Sequence, residues 1–472
     1  MNFKIAATAA LSSAFLFLSA CSDDSSSSSA SFIDLPANQR ELVINYNLLQ
    51  ALYIYPQIGK DEISEDIDTY FGKGTEKDTK NKRGETVCTE DYYDVCYMYN
   101  QMKDPFTRYY DPSIAPKAFQ RLTESVEMVS IKGATLIPTD NTGEIGKVVS
   151  LTEDAKKGGM QIGDIIKIST LDSVYDSSKD GETYTITVSR DKKDVEVKVT
   201  LTNEKQPTVK LFYEVAESGD TIPVIRITEF DMKTIGEGGT REEFAEALEK
   251  TKGAKATIID LRNNGGGDTE HCNATSAEFL SEGDTITIDI EQNIYLGIVK
   301  ATNDTTYFAQ LDTITTTAEK DGSAKDRYVV LMANGGSASC AELMISAIAT
   351  NKKTPIVGEL TYGKQIGQIF ITSLNGNEFI PDMTPDGLAV ITELYAIDKN
   401  GDTYQDVGIV PDYEIEDFDE QMKKAVELAA EGTAVRTAGY GTEKLGHFLK
   451  AREEIKDYTS IKDMKMRYKI LK

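Results

Sequence analysis

The 472-residue chain is 40% hydrophobic, enough material for two or three domains with buried cores. Its formal charge of −26 repels a phosphate backbone, which argues against nucleic acid as a partner. The two histidines, His271 and His447, make no four-ligand pattern with the five cysteines, so neither a metal nor another cofactor is expected.

The chain opens with Lys4 and an apolar run from Ile5 to Leu18, followed by Leu18-Ser19-Ala20-Cys21. This pattern reads as a signal peptide over 1–20, closing on a tetrapeptide similar to a bacterial lipobox, with Cys21 as the lipidated first residue of the mature chain. The expectation is a bacterial envelope protein, lipid-anchored to a membrane and facing the periplasm or the cell surface. An ordinary signal peptide or an N-terminal anchor is the alternative. A Ser/Asp-rich tether follows over 21–37.

Residues 38–121 read as a helical N-terminal region, with apolar spacing at Leu42, Tyr46, Leu49, Leu52 and Tyr53. It ends on Asp104-Pro105-Phe106-Thr107-Arg108-Tyr109, to which no chemistry attaches. Cys88 and Cys96 stand where a disulfide would close a short loop, free thiols being the other reading. Over 122–203 the character changes to short β-type runs punctuated by glycine, at 144–149, 163–166, 184–188 and 195–199, which predicts a small β module.

The core is assigned to 204–418. Strands are expected at 222–227 and 256–261 and a helix over 241–251, and the second strand breaks into Arg262-Asn263-Asn264-Gly265-Gly266-Gly267. Consecutive glycines let backbone N–H groups approach a ligand closely. A further apolar strand, Tyr328 to Met332, turns through Asn334-Gly335-Gly336 into a helix of small residues. A serine at such a turn sits on a helix N-terminus, where backbone amides stabilise an oxyanion. Ser339 is therefore the candidate nucleophile, with Ser337 its competitor. Its base is either His271 or Lys364, since a desolvated lysine can lose its proton near neutral pH. Residues 419–472 read as a helical C-terminal region, either packing helices or a dimerisation element, with His447 at its surface; a homo-oligomer stays open.

Four motifs occur in a fixed order: Asp260-Leu261-Arg262-Asn263-Asn264-Gly265-Gly266-Gly267, Gly336-Ser337-Ala338-Ser339-Cys340-Ala341-Glu342, Gly358-Glu359-Leu360-Thr361-Tyr362-Gly363-Lys364 and Val407-Gly408-Ile409-Val410-Pro411-Asp412. This series resembles the carboxyl-terminal processing, or tail-specific, proteases, and the stretch from Asn38 to Asp417 is similar to them throughout. The segment Asp154 to Ile166 resembles a PDZ domain, with Ile131, Lys132 and Gly133 at its carboxylate-binding loop, although the family's leading glycines are replaced there. The resemblance implies a multidomain α/β fold: a crotonase-like α/β protease core, an inserted PDZ-like β module, and helical N- and C-terminal regions.

By position it also implies Ser339 as nucleophile, Lys364 as general base and Gln368 as the residue that orients the amine. An oxyanion hole would be built from the N–H of Cys340 and that of Gly265 or Gly266. Tyr362 and Ile366 would wall the lysine pocket, and Glu342 would cap or brace the helix. Two residues depart from the family pattern: Cys340 follows the nucleophile and could pair with Cys272, and Gln365 follows the lysine. The implied function is a serine endopeptidase acting on polypeptides with accessible C-termini. The rival readings are a non-catalytic peptide- or ligand-binding lipoprotein on the same fold, or a scaffold whose PDZ-like module recruits partners.

Overall fold

The computed structural model describes residues 35–55, 63–125, 127–140, 142–299, 304–374 and 384–440. Cys21, the signal peptide, most of the tether and His447 lie outside them. The fold is mixed α/β and is built on three sheets.

The core sheet runs, edge to edge, Tyr413–Glu414, Ile356–Gly358, Tyr328–Ala333, Ala256–Asp260, Thr221–Ile227 and Val209–Val215. Every pair is parallel except the last. Its central strands are buried and mostly apolar, as a sheet covered on both faces requires, with Arg226 and Asp260 as a buried ion pair. Helices Gly239–Lys250 and Cys340–Lys352 bury Phe244, Leu248, Met344, Ile345 and Ile348 in one apolar cluster. Helix Phe418–Glu431 places Met422, Ala425 and Val426 in a second cluster with Val224, Ile258, Val330 and Met332. Three neighbouring parallel strands end at Asp260, Ala333 and Gly358, in register across the sheet. The motifs that follow them therefore emerge side by side at the carboxyl edge, where open α/β sheets hold their ligands.

The second sheet is antiparallel and joins Arg108–Tyr110, Leu388–Ile397, Thr285–Val299 and Asp304–Thr317, with Ile366–Ile371 also pairing Leu388–Ile397. Helix Ala37–Leu52 packs Leu42, Leu48, Leu49 and Leu52 against it. The N-terminal region is thus a structural part of this sheet rather than a separate helical unit, because its strand Arg108–Tyr110 pairs with residues 388–390. The boundary expected at 418 likewise falls inside a helix that is anchored to the core: Arg262 donates to Phe418 O and to Gln421 Oε1.

The third sheet contains Glu127–Ile131, Lys193–Lys205, Thr183–Arg190, Ile165–Lys167, Ile145–Leu151 and Ala134–Pro138, all antiparallel. It has its own core of Ile131, Val148, Ile166, Ile186, Val197 and Leu201. This β module meets the rest of the chain at Lys147 with Asp419 and at Asn263, whose Nδ2 donates to Asp140 O.

Candidate active site

Ser339 is the N-cap of helix Cys340–Lys352, with φ +56° and ψ −121°. A non-glycine residue in that region costs about 1–3 kcal/mol, so the surroundings must hold it there. Glu342 is the principal restraint. Its fully buried carboxylate accepts the N–H groups of Ser339 (3.1 Å), Gly363 (2.7 Å) and Lys364 (2.8 Å), and also the Thr361 hydroxyl. One carboxylate thereby ties the backbone of the serine turn to that of the lysine loop. Burial pushes the Glu342 carboxyl up to about 7, against the pull of those hydrogen bonds. The brace expected of this residue thus spans two loops, not one helix end.

Lys364 enters from the loop between the core sheet and the second sheet. Its Nζ lies 3.2 Å from Ser339 Oγ, 3.1 Å from Ile366 O and 3.0 Å from Gln368 Oε1. Two of these partners, the carbonyl and the amide oxygen, can only accept. When the amine is neutral its two N–H bonds satisfy them, and the lone pair is left facing the serine hydroxyl. Burial is the main cause that lowers the Lys364 amine to about 8; Arg108 and Arg83 act the same way, and Asp104 and Glu342 oppose it. Phe106 covers the amine, its ring centroid 4.8 Å from Nζ. Tyr362 stands 57% exposed, whereas Ile366 is buried and lends its carbonyl.

The glycine turn lies directly against the nucleophile. A Cβ on Gly266 would come within 2.7 Å of Ser339 Cβ and 3.0 Å of Cys340 N, and one on Gly267 within 2.1 Å of Phe230 O. Both positions need glycine for close approach. The Gly266 N–H, however, is donated to Asn264 Oδ1 at 2.8 Å. Gly265 is exposed, and with Cys340 N–H at the helix N-terminus its amide completes the pair of candidate donors. Cys340 forms a disulfide with Cys272, Cα atoms 5.8 Å apart, which clips the helix after the glycine turn to the helix after the serine. Cys88 and Cys96 are also joined.

The competing assignments separate cleanly. Ser337 is fully buried, its hydroxyl donating to Leu261 O and accepting Asn334 N–H, which makes it a turn residue. His271 Nδ1 accepts the Arg241 N–H at 3.2 Å, so that nitrogen is committed to a neighbouring helix, while Lys364 occupies the position at Ser339. Gln365 turns away from the amine to accept Thr403 Oγ1 and Tyr404 N–H, pinning the lysine loop from behind. Ile131 is buried in the β module, the Lys132 N–H is donated to Thr200 O, and Gly133 O accepts Thr152 N–H. The Lys132 amide is thus committed within the module and is not available to a carboxylate.

Two residues at this site went unread in the sequence: Asp104 and Phe106, from the Asp-Pro-Phe-Thr turn. Only their place in the motif could have signalled them, since their partners lie hundreds of positions away. Among the described residues, no group of three His, Cys, Asp or Glu side chains is placed to hold a metal ion.

A serine hydroxyl, a buried amine near neutrality and paired backbone donors make up the Ser/Lys constellation of serine hydrolases. Residues 221–415 match the model of peptidase family S41. The chain is 29% identical over 279 residues to the carboxy-terminal processing protease CtpA of Bacillus subtilis, covering 57% of this chain and 53% of that protein. It is 26% identical over 330 residues to a CtpA-like serine protease of Staphylococcus haemolyticus, covering 67% and 58% respectively. The match thus spans little more than half the length of these relatives. Among solved structures, the photosystem II D1 C-terminal processing protease aligns with a TM-score of 0.45 at 16% identity, over 81% of this chain and 94% of that one.

Proposed function

We propose that this protein is a serine endopeptidase that cuts polypeptides near their C-termini through a Ser/Lys acyl-enzyme route. Neutral Lys364 takes the Ser339 proton as Oγ attacks the scissile carbonyl. The oxyanion that forms rests on the N–H groups of Cys340 and Gly265, at the positive end of the helix. Lys364 then returns the proton to the leaving amine, which departs as the C–N bond breaks. Lys364, neutral again, takes a proton from water as the water oxygen attacks the acyl ester, then gives that proton to Ser339 Oγ as the ester C–O bond breaks and the acid product leaves.

The observation that carries this reading is the Lys364 Nζ to Ser339 Oγ contact of 3.2 Å, with both remaining amine hydrogens directed to fixed acceptors. The curated relatives named above are proteases, which supports peptide-bond cleavage as the reaction. We further read the core as crotonase-like and the antiparallel module as PDZ-like, engaging or gating substrate. Its contact with Asn263, beside the glycine turn, supports the gating role. Lipidation at Cys21 would hold the protein on an envelope membrane. The test is proteolysis of an unstructured polypeptide with an apolar tail. Ser339→Ala and Lys364→Ala should each reduce kcat/KM by several orders of magnitude; full activity in either variant rejects the pair.

A further inference from the structure

The Asp-Pro-Phe-Thr turn joins the site through an ordered chain of hydrogen bonds. Lys364 Nζ contacts Gln368 Oε1; Gln368 Nε2 donates to Thr392 Oγ1 at 3.0 Å; the Thr392 hydroxyl donates to Asp104 Oδ2. Gln368 and Thr392 are cross-strand partners in the second sheet. Asp104 is 1% exposed, and the same Oδ2 also accepts the N–H and the hydroxyl of Thr107. Thr107 Oγ1 in turn accepts the Thr392 N–H at 2.9 Å, which locks the two segments together.

We propose that Asp104 is a positioning residue for the proton transfer, acting through Thr392 to fix which face of the Gln368 amide meets Lys364. This rests on the Ser/Lys reading above. Hydrogen-bond direction sets the order along this chain. An ionised carboxylate only accepts, so the single Thr392 hydroxyl hydrogen is committed to Asp104. The Thr392 oxygen must then accept from Gln368, which requires the amide nitrogen on that side and leaves the amide oxygen facing the amine. A Gln368 amide turned over would present N–H to Nζ. It would then occupy the lone pair that Ser339 needs, and the base would be blocked by its own neighbour.

The charged groups facing Lys364 are Asp104 and Glu342, which favour the ammonium, and Arg108 and Arg83, which oppose it. Removing the Asp104 charge therefore has two separable effects: it frees the amide to turn, and it moves the titration of the amine to lower pH.

The experiment compares Asp104→Asn, Thr392→Val and Thr392→Ser in the full chain, measuring kcat and the acid limb of kcat/KM on an unstructured peptide. Melting curves report the folded fraction. Asp104→Asn and Thr392→Val should each lower kcat on the order of a hundredfold and move the limb to lower pH, the first variant further. Thr392→Ser keeps the hydroxyl and should retain wild-type kcat and limb. A purely structural role would lower activity only in proportion to folded protein, with the limb unmoved. That result, or wild-type behaviour in Thr392→Val, overturns the proposal while Lys364→Ala stays inactive. An active Lys364→Ala instead overturns the Ser/Lys reading on which it rests.

Discussion

In the proposed mechanism Lys364 works as a base only when neutral, so the rate must follow its titration. An ordinary lysine releases its proton near 10.5, and at pH 7 only about 0.03% of such amines are neutral. With burial lowering the Lys364 amine to about 8, roughly a tenth are neutral at pH 7, a gain of about 300-fold in competent enzyme. The expected kcat/KM profile rises about tenfold per pH unit below 8 and levels off above it. Glu342, raised by burial to about 7, ionises in the same window; its charge favours the ammonium, so the limb should be broader than a single titration. The assay is steady-state cleavage of a fluorogenic unstructured peptide from pH 5.5 to 9.5 at constant ionic strength, with a melting curve at each pH. Lys364→Arg keeps a cation that cannot release its proton, and should show no rise. A profile that is flat between pH 6 and 9 in folded protein, or a midpoint near that of free lysine, would refute the reasoning.

The glycine turn predicts a contrast between neighbours. Gly266→Ala places a Cβ 2.7 Å from Ser339 Cβ at φ +107° and should cost about 10²–10³ in kcat, whereas a Cβ on Gly265 meets nothing within 4 Å and should cost little; equal losses would contradict the geometry. Opening the Cys272–Cys340 disulfide, which spans 68 residues, should lower stability by about 4 kcal/mol on a chain-entropy estimate. A Cys272→Ala/Cys340→Ala variant with an unchanged melting temperature would contradict that. Asp260 is buried between Arg226 and Arg262, at 2.8 and 2.9 Å. Asp260→Asn should destabilise by about 3–5 kcal/mol in denaturant titration. Burial alone would raise this carboxyl, but Arg262 and Arg226 hold it well below its usual range. Its folded pKa is thus depressed, so its contribution is present above the unfolded value near 3.8 and is lost as pH falls; the Asn variant should lack that part of the acid destabilisation.

The apolar run 328–332 is the strand Tyr328–Ala333, and the small-residue segment after it is the helix Cys340–Lys352, because burial on both faces leaves an unmistakable hydrophobic signature. The glycine turn and the lysine loop could be placed beside Ser339 only through the ordered motifs; the physical reason, three parallel strands ending in register, is a property of the sheet and not of any single window.

Asp104 shows the limit most clearly. Its partner Thr392 is 288 positions away, and no periodicity within the Asp-Pro-Phe-Thr turn encodes that pairing. Gly266 shows another. Glycine was required there, but whether its amide was free depended on where Asn264 turned its side chain. The long pairing of Thr285–Val299 with Asp304–Thr317 was not assigned, although Thr285-Ile286-Thr287-Ile288-Asp289-Ile290 alternates polar and apolar residues as a half-buried strand does.

The central claim of the proposal is that Ser339 carries the acyl group and that Lys364 activates it by taking its proton. The most direct measurement is rapid quench of the full chain with an activated peptide ester, followed by mass spectrometry of the digested protein. A transient acyl adduct should map to the peptide containing Ser339, be absent in Ser339→Ala, and form far more slowly in Lys364→Ala. An adduct on another residue, or one formed at an unchanged rate without Lys364, would contradict the account.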